Sequence, residues 1–264
     1  TWSQLPNTKG KILVSDQSSM FLSKPCNVED YGLIWAGVQK NVGPAGMAVV
    51  IVREDLLREE MDPKAPVYMS YKTHADNDSM YNTPNTWSIY CCGKVFKYLK
   101  SIGGLEEMFK RNVEKATILY GFLDSSKLFK ATANPEDRSL MNVCFNTGSD
   151  ELDAEVVAAS KKAGFDNLKG HRSTGGLRAS IYNAMPKEGV EALVNFLKKY
   201  EAEHSCHRCT ISSPGTVVPG LFASSLWPVS GKRKRDLTSR FLAFWYQFFN
   251  DFCIEDSPFS IDCG

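Results

Sequence analysis

Residues 31–52 read YGLIWAGVQKNVGPAGMAVVIV, two apolar runs on either side of a polar, glycine-rich turn. Both runs are continuous rather than alternating, which is typical of strands covered on both faces of a sheet. A shorter apolar run, residues 11–15, precedes them and ends at the polar residues 16–19. Polar residues directly after such strands are where α/β folds bind ligands. The pattern therefore predicts an α/β fold with a ligand site at the strand ends.

The segments after residue 85 alternate between helical and strand-like patterns. In residues 188–200, apolar side chains recur at spacings of three and four, which predicts an amphipathic helix. The predicted helices are 86–101, 105–123, 152–163 and 188–200, and the predicted strands are 140–145 and 177–182. Residues 66–85 are polar and rich in turn-forming side chains, so we expect a long surface loop there. The alternation predicts a second, small α/β domain.

The composition excludes several classes of protein. The 264-residue chain is 43% hydrophobic and 23% charged, which is typical of soluble globular proteins and not of disordered, collagen-like or small disulfide-rich chains. Its 31 basic and 30 acidic side chains give a net charge of +1, so we expect no nucleic-acid partner. No apolar run has the length of a membrane span, so we expect no membrane partner. Most of the 8 cysteines lack the spacing of a disulfide framework, which favours mostly reduced thiols for the first six, in a cytoplasmic protein.

Two residues at the predicted strand ends carry opposite charges. Lys40 lies among polar neighbours after an apolar run, and such a lysine can form a Schiff base when its pKa is lowered. Asp16 ends the preceding strand. Pyridoxal phosphate needs this pair, an amine for its aldehyde and a carboxylate that keeps the ring nitrogen protonated. A solvated surface lysine and a turn-capping aspartate are the ordinary alternatives.

Four motifs in this sequence resemble the phosphoserine aminotransferase family. They are VSDQSSMFLSKP at 14–25, AGVQKNVGPAG at 36–46, YNTP at 81–84 and KGHRSTGGLRASIYNAMP at 169–186. The resemblance is colinear from about residue 5 to about residue 203. It implies a fold-type I aminotransferase that depends on pyridoxal phosphate. The implied reaction transfers an amino group between glutamate and 3-phosphohydroxypyruvate, giving phosphoserine and 2-oxoglutarate in serine biosynthesis.

The resemblance assigns the cofactor contacts by position. Lys40 matches the Schiff-base lysine of the family, Asp16 the aspartate on the pyridine nitrogen, and Gln39 the cofactor-contacting glutamine beside the lysine. Asn82 and Thr83 match the pair that reaches the cofactor phosphate of the neighbouring subunit. The implied assembly is a homodimer with shared active sites.

The resemblance also assigns the substrate contacts. His171 and Arg172 match residues that bind the side-chain phosphate or carboxylate of the substrate across the interface. Arg178 matches the arginine that we expect to bind the substrate α-carboxylate. Phosphoserine and glutamate are strongly anionic, and bidentate guanidinium groups suit such ligands.

The resemblance divides the chain into three parts. We expect the C-terminal part of the large cofactor-binding domain at 1–101, the small domain at 102–203, and an irregular tail outside the family at 204–264. The family's large domain begins upstream of Asp16, so we expect an N-terminally truncated chain with an unpaired sheet edge and impaired transamination.

The segment 204–264 contains two further patterns. His204, Cys206, His207 and Cys209 supply at most a zinc half-site, and a second half-site is missing, so we expect no metal centre. The basic run 232–235 is more typical of a solvated segment than of a nucleic-acid contact.

Two alternative functions stay open. One is another fold-type I enzyme, such as a cysteine desulfurase or an alanine–glyoxylate aminotransferase. The pair His171 and Arg172 argues against it, because those substrates carry no side-chain phosphate. The other is an inactive chain whose role is to associate with full-length subunits.

Overall fold

The structure, a computed structural model, describes residues 4–58, 62–205 and 241–243. One sheet has the strand order β1 (Val14–Asp16), β2 (Leu33–Gly37), β3 (Ala48–Arg53) and β7 (Phe241–Ala243), and the other has β4 (Lys130–Ala131), β5 (Asn142–Asn146) and β6 (Leu177–Ser180). The α-helices are α1 (Tyr71–Ala75), α2 (Thr86–Ser101), α3 (Gly104–Ser125), α4 (Asp150–Lys162) and α5 (Lys187–Ser205).

The first sheet is mixed. β1 and β2 are parallel, with Asp16 opposite Trp35, whereas β3 is antiparallel to both β2 and β7. The carboxyl ends of β1 and β2 therefore meet at one edge of the sheet. All residues of β2 except Trp35 are buried, as the continuous apolar pattern predicts. β1 is an edge strand in the described part of the chain, and Val14 is 59% exposed, which matches the expected unpaired edge.

Helix α2 and the first turns of α3 pack on the first sheet. Cys92 and Leu99 of α2 and Met108 of α3 join a buried cluster with residues that include Ile34 and Val38. Apolar burial of this kind contributes roughly 1.5–3 kcal/mol per large side chain. The layer of helices on the sheet confirms the predicted α/β class.

The second sheet has the alternation of a half-covered antiparallel sheet. Val143 and Phe145 of β5 are buried while their neighbours in sequence are only half-buried, which is the period of two expected for such strands. Helices α3 and α5 cover the buried face, and α5 contributes the apolar positions predicted for it: Val190, Leu193, Val194 and Leu197. Because α3 contributes to both cores, the proposed domain division at 101/102 stays a prediction.

Helix ends differ from the sequence prediction where a serine caps them. Residues 67–75 form a 3₁₀ turn and α1 rather than a continuous loop, and Ser70 accepts the Thr73 backbone N–H at 3.2 Å. Ser149 likewise caps α4 and starts it two residues earlier than predicted. A capping serine satisfies an otherwise unpaired backbone donor in the first turn, which stabilises that start by about 1 kcal/mol.

Several sequence hypotheses lie outside the described residues. Cys206, His207 and Cys209 are among them, as is the basic run 232–235. From segment 204–264 the structure describes residues 204–205 at the end of α5, and β7. Among the described helices, none combines the length and apolar character that a bilayer crossing requires.

A buried lysine joins α3 to the turn after β6. Lys115 Nζ donates to the carbonyl oxygens of Ile181 at 3.2 Å, Tyr182 at 2.8 Å and Met185 at 3.0 Å. The side chain is almost fully buried, and burial lowers the pKa of Lys115 to about 8. The three carbonyl acceptors use all the donors of the ammonium group.

The depressed pKa of Lys115 predicts a pH dependence of stability. Between pH about 8 and the ordinary lysine pKa of 10.5, the unfolded chain binds more protons than the folded one at this position. The free energy of unfolding of the wild type, relative to Lys115→Met, should therefore rise with pH across that window. Urea denaturation at several pH values measures the difference. The control is Lys110→Met, at an exposed position of the same helix. The difference in unfolding free energy between wild type and this control should not rise with pH across the window. If the difference rises equally for both variants, the prediction is wrong.

Candidate active site

Ser18 connects the carboxyl ends of β1 and β2. Its Oγ donates to Asp16 Oδ1 at 2.6 Å and accepts the Gly37 backbone N–H at 2.9 Å. The Ser18 backbone N–H donates to the same Asp16 oxygen at 2.9 Å. The side chain of Ser18 is buried, so both bonds act in a region of low dielectric constant where they are strong. Asp16 is thus held at the strand end by two donors.

Ser19, the next residue, holds the predicted catalytic lysine. Lys40 Nζ donates to Ser19 Oγ at 2.8 Å. Lys40 follows β2 and is half-buried. Adjacent serines of one turn therefore contact Asp16 and Lys40, which brings the two charged residues to the same edge of the sheet.

Asp16 and Lys40 line one cavity of about 810 Å³. Its walls include Ile34 and Ile51 of the first sheet, and Ser139 and Asn142 from the second sheet and the segment before it. This volume is within the range of about 300–1,000 Å³ that is usual for small-ligand sites. The lining mixes apolar residues with many polar and charged ones, among them Asp16, Lys24 and Lys40.

Gln39 lies at the edge of this region. Its side chain is exposed and is not among the residues that line the cavity. It folds back over Gly37, where its Oε1 is 2.7 Å from the position a Cβ would take. A larger residue at 37 would displace Gln39 and disturb the backbone N–H that Ser18 accepts.

Asn82 and Thr83 are exposed and do not line the cavity. Asn82 Oδ1 accepts the Tyr68 hydroxyl at 2.7 Å. The Tyr68 ring is itself 6.5 Å from the ring of Tyr81. The structure therefore places this pair on an aromatic surface, apart from Lys40 within the single chain.

His171 and Arg172 lie in an exposed turn between α4 and β6. His171 Nδ1 is 2.7 Å from Ser173 Oγ, and the His171 carbonyl accepts the Gly175 backbone N–H at 2.8 Å. The turn depends on the positive φ angles of Gly175 and Gly176, which glycine adopts without strain. These two cationic candidates also lie outside the cavity lining.

Arg178 lies on the half-buried face of β6, opposite Cys144 of β5. Its Nε is buried and has no hydrogen-bond partner among the described residues. A buried guanidinium donor without a partner is costly, and Arg178, like His171 and Arg172, is not among the residues that line the cavity. Asn142 lies on the same strand pair, where Ser180 Oγ donates to its Oδ1 at 3.0 Å.

Sequence reasoning missed the serines and asparagine that position the charged pair. Ser18, Ser19 and Asn41 are all within the motifs that carry the resemblance. Their adjacency in sequence to Asp16 and Lys40 could have identified them, because those two residues follow strands whose ends converge. Their hydrogen bonds join segments 19 or more residues apart, and such long-range partners cannot be assigned from one sequence.

A family model described as Aminotransferase class-V matches residues 3–193. The match covers more than half of the chain, so the chain belongs to the class-V aminotransferase family and has the fold-type I architecture. This confirms the fold class that the four motifs imply.

Within that family, the chain is similar to phosphoserine aminotransferases. The protein of that name from Haemophilus influenzae is 51% identical over 200 residues, which are 76% of this chain and 55% of that protein. Its counterpart from Nitrosomonas europaea is 52% identical and covers 75% of this chain and 54% of that protein. The phosphoserine aminotransferase structure from Bacillus circulans subsp. alkalophilus aligns with a TM-score of 0.73 at 43% identity, over 77% of this chain and 56% of that one. The chain thus spans about half the length of the curated relatives it matches.

The double role of Ser18 predicts a stability effect. Ser18→Ala removes the acceptor of the Gly37 N–H and leaves that donor buried without a partner. The free energy of unfolding should fall by about 1–3 kcal/mol, measured by urea denaturation followed by circular dichroism. The matched control is Ser101→Ala, an exposed helix-end hydroxyl that donates to the Tyr98 carbonyl, and its effect should stay within about 0.5 kcal/mol. Equal effects at both positions would contradict the role of Ser18.

Proposed function

We propose that this chain carries the lysine side of a pyridoxal-phosphate site and acts in phosphoserine transamination. The reaction transfers an amino group between glutamate and 3-phosphohydroxypyruvate. One observation carries the proposal: Lys40 and Asp16 line a single cavity and are held there by adjacent serines. The similarity to phosphoserine aminotransferases supports it.

The donor set of the cavity fits pyridoxal phosphate. Lys40 offers one amine to the aldehyde carbon, and Asp16 offers one carboxylate to the ring nitrogen. Both hydrogen bonds from Ser18 go to Oδ1 of Asp16, which leaves Oδ2 available to a ring N–H. Gln39, which the resemblance assigns to the cofactor, is exposed and outside the cavity lining, so it would have to turn inward to contact the cofactor. When bound, the cofactor supplies an electron sink for the bond to the substrate Cα hydrogen.

Lys40 is the group that moves the proton. In transamination the free Lys40 amine would act as the general base for the proton on the substrate Cα and, once protonated, as the general acid that delivers it. Ser19 accepts a hydrogen bond from Lys40 Nζ and thereby limits the positions of the amine. Asp16, as a carboxylate, stabilises positive charge at the ring nitrogen and so favours removal of that proton.

The substrate anions need fixed cations. Arg178 is the candidate for the substrate α-carboxylate on the resemblance to the family, and its buried Nε, which lacks a partner among the described residues, would have to be uncovered to bind it. His171 and Arg172 are the candidates for the side-chain phosphate or carboxylate. Guanidinium groups bind such planar or tetrahedral anions through paired hydrogen bonds.

A homodimer with shared sites explains the positions of the remaining candidates. Asn82, Thr83, His171 and Arg172 are exposed, so within one chain they do not reach the cavity lining. The surface near Asn82 also exposes large aromatic side chains such as Trp87, at 69%. Exposed apolar surface of this kind is typical of an interface. We place this dimer in the cytoplasm, where thiols such as the buried, free Cys92 stay reduced.

The first test is uptake of the cofactor by the purified 264-residue chain. Wild type should acquire a visible absorbance band on addition of pyridoxal phosphate, and borohydride should then fix the cofactor to Lys40, as peptide mass spectrometry can show. Lys40→Ala should abolish both signals because Lys40 is the amine that Ser19 holds at the end of β2. Lys24 lines the same cavity, so Lys24→Ala, which should retain both signals, is a second control. Lys100→Ala, at an exposed position of α2, should retain them. Cofactor fixed equally in Lys40→Ala and wild type would refute the site.

The second test concerns the substrate. Wild type loaded with the cofactor should convert phosphoserine to 3-phosphohydroxypyruvate in a single turnover, and alanine should give far less product. Arg178→Met should lower the rate of product formation from phosphoserine by about 10–100-fold, which corresponds to the loss of one charged hydrogen bond. Arg178→Lys should retain part of the wild-type rate. A preference for alanine would favour another fold-type I enzyme. No product from loaded chain would favour the alternative role as an associating subunit.

A further inference from the structure

Three asparagines form a hydrogen-bonded network directly beside the predicted catalytic lysine. They are Asn41, which follows Lys40, Asn112 of α3 and Asn183 of the turn after β6. Asn41 and Asn112 are buried, and Asn112 is fully so. We call these residues the asparagine network. Most polar atoms of buried amides have hydrogen-bond partners. In this network Asn112 Oδ1 is buried without a partner among the described residues, and the partners of the other amide atoms indicate what the network does.

The bonds of Asn41 connect the lysine turn to two other segments. Its Nδ2 donates to the Phe21 carbonyl at 3.0 Å, and its Oδ1 accepts the Asn183 backbone N–H at 3.0 Å. A carbonyl can only accept and a backbone N–H can only donate, so these partners fix which way the amide is turned. The segment after β1 and the turn after β6 are thereby tied to the residue next to Lys40.

The other two asparagines complete the connection. Asn183 Nδ2 donates to the Leu22 carbonyl at 2.9 Å, and Asn112 Nδ2 donates to the Ser23 carbonyl at 3.0 Å and to Asn183 Oδ1 at 2.9 Å. Three successive carbonyls, of residues 21–23, thus each accept one asparagine amide. Leu22 has a φ of +60°, a left-handed conformation that strains a non-glycine residue. The asparagine network offsets that strain and fixes the turn that contains Ser19.

We propose that Asn41 is a positioning residue for Lys40. The side chain of Asn41 fixes the backbone next to residue 40. Through the carbonyl groups of residues 21–23, the asparagine network also fixes the turn that contains Ser19, whose hydroxyl accepts the hydrogen bond from Lys40 Nζ. The amine is therefore held from both ends, by its own backbone and by its hydrogen-bond acceptor. This inference rests on the proposed function for its link to the cofactor, but its geometric part concerns the reactivity of the Lys40 amine in the chain alone.

The first experiment measures that reactivity without cofactor. Trace acetylation of the purified chain at pH 7–10 gives the ratio of labelling at Lys40 to labelling at exposed Lys100, quantified by peptide mass spectrometry. Asn41→Ala should raise this labelling ratio by up to about tenfold, because it removes the side-chain hydrogen bonds of Asn41 that restrain Lys40. A tenfold change corresponds to about 1–1.5 kcal/mol. An unchanged ratio would overturn the proposal.

A matched control separates positioning from general loosening. Ser126→Ala removes buried hydrogen bonds to the Leu128 and Phe129 backbone N–H groups and to Glu201, far along the chain from Lys40. It should lower the melting temperature while leaving the labelling ratio of Lys40 unchanged. If Ser126→Ala raises the ratio as much as Asn41→Ala does, Asn41 is only a structural residue.

A nearly isosteric variant provides a test that does not depend on a cavity. Asn41→Asp retains the acceptor for the Asn183 N–H but places an oxygen against the Phe21 carbonyl. Burial raises the pKa of such a carboxyl group, so at pH 5.5 the protonated form can donate to Phe21 again. The dissociation constant of pyridoxal phosphate, relative to wild type at the same pH, should be about tenfold higher at pH 8.5 and return towards wild type at pH 5.5. A ratio that is the same at both pH values would overturn the proposal.

The two proposals fail in different ways. If wild type takes up no pyridoxal phosphate through Lys40, the proposed function fails, and the acetylation ratio still reports on Asn41. If wild type binds the cofactor but neither Asn41 variant changes the reactivity of Lys40 or the affinity for the cofactor, the positioning role fails alone.

Discussion

The spacing between the ends of β1 and β2 depends on one buried hydroxyl. Ser18 donates to the carboxylate at the end of β1 and accepts from the backbone at the end of β2, so neither strand end can shift without breaking a buried bond. A hydroxyl is suited to this position because it donates and accepts at the same atom. The geometry of the candidate site depends on these two hydrogen bonds of Ser18. Asp16 lies at the end of β1 and accepts one of them, and Lys40 follows β2, whose end donates the other.

A second constraint operates between the two hydrophobic cores. Helix α3 runs through both, and two of its polar residues, Asn112 and Lys115, are buried where the cores meet. Both residues bond to the turn after β6, and Asn112 also bonds to the segment after β1. Desolvating an amide and an ammonium is costly, and that cost is offset only while every partner stays in place. The two cores are therefore joined by directional contacts, which define one relative position more sharply than apolar packing would.

The sequence predicts the long elements of this fold better than their connections. The apolar spacing of Val190, Leu193 and Leu197 identifies α5, because a helix with one apolar stripe has only one face to bury. The short α1 cannot be predicted in the same way, because five residues are too few to show a helical period. The capping role of Ser70 is recognisable only once the turn before α1 is known. The antiparallel direction of β3 is likewise not encoded in its apolar run, which reads the same in either orientation.

In the candidate site, too, the sequence predicts some features well and others poorly. The types and order of Lys40 and Asp16 predict an amine and a carboxylate at one edge of the sheet, because parallel strands place their ends together, and in the structure both residues line the same cavity. Which neighbours fix them is decided by contacts distant in sequence, such as Asn41 with Asn183. Charge and motif identify the candidate reacting groups, whereas the residues that hydrogen-bond around them are neutral, small and common, so the sequence alone does not single them out.

The exposed candidates point to a site that one chain does not complete. Asn82 is held on the surface by Tyr68, and His171 is held in its own turn by Ser173, so both have defined positions rather than free loops that could swing inward. Local hydrogen bonds of this kind would have to break before either residue approached Lys40 of the same chain. A second protomer that docks against the aromatic surface requires no such rearrangement, and it buries apolar area at the same time. In the proposed homodimer these residues would reach a cofactor by assembly of two protomers, with both turns keeping the hydrogen bonds seen in the single chain.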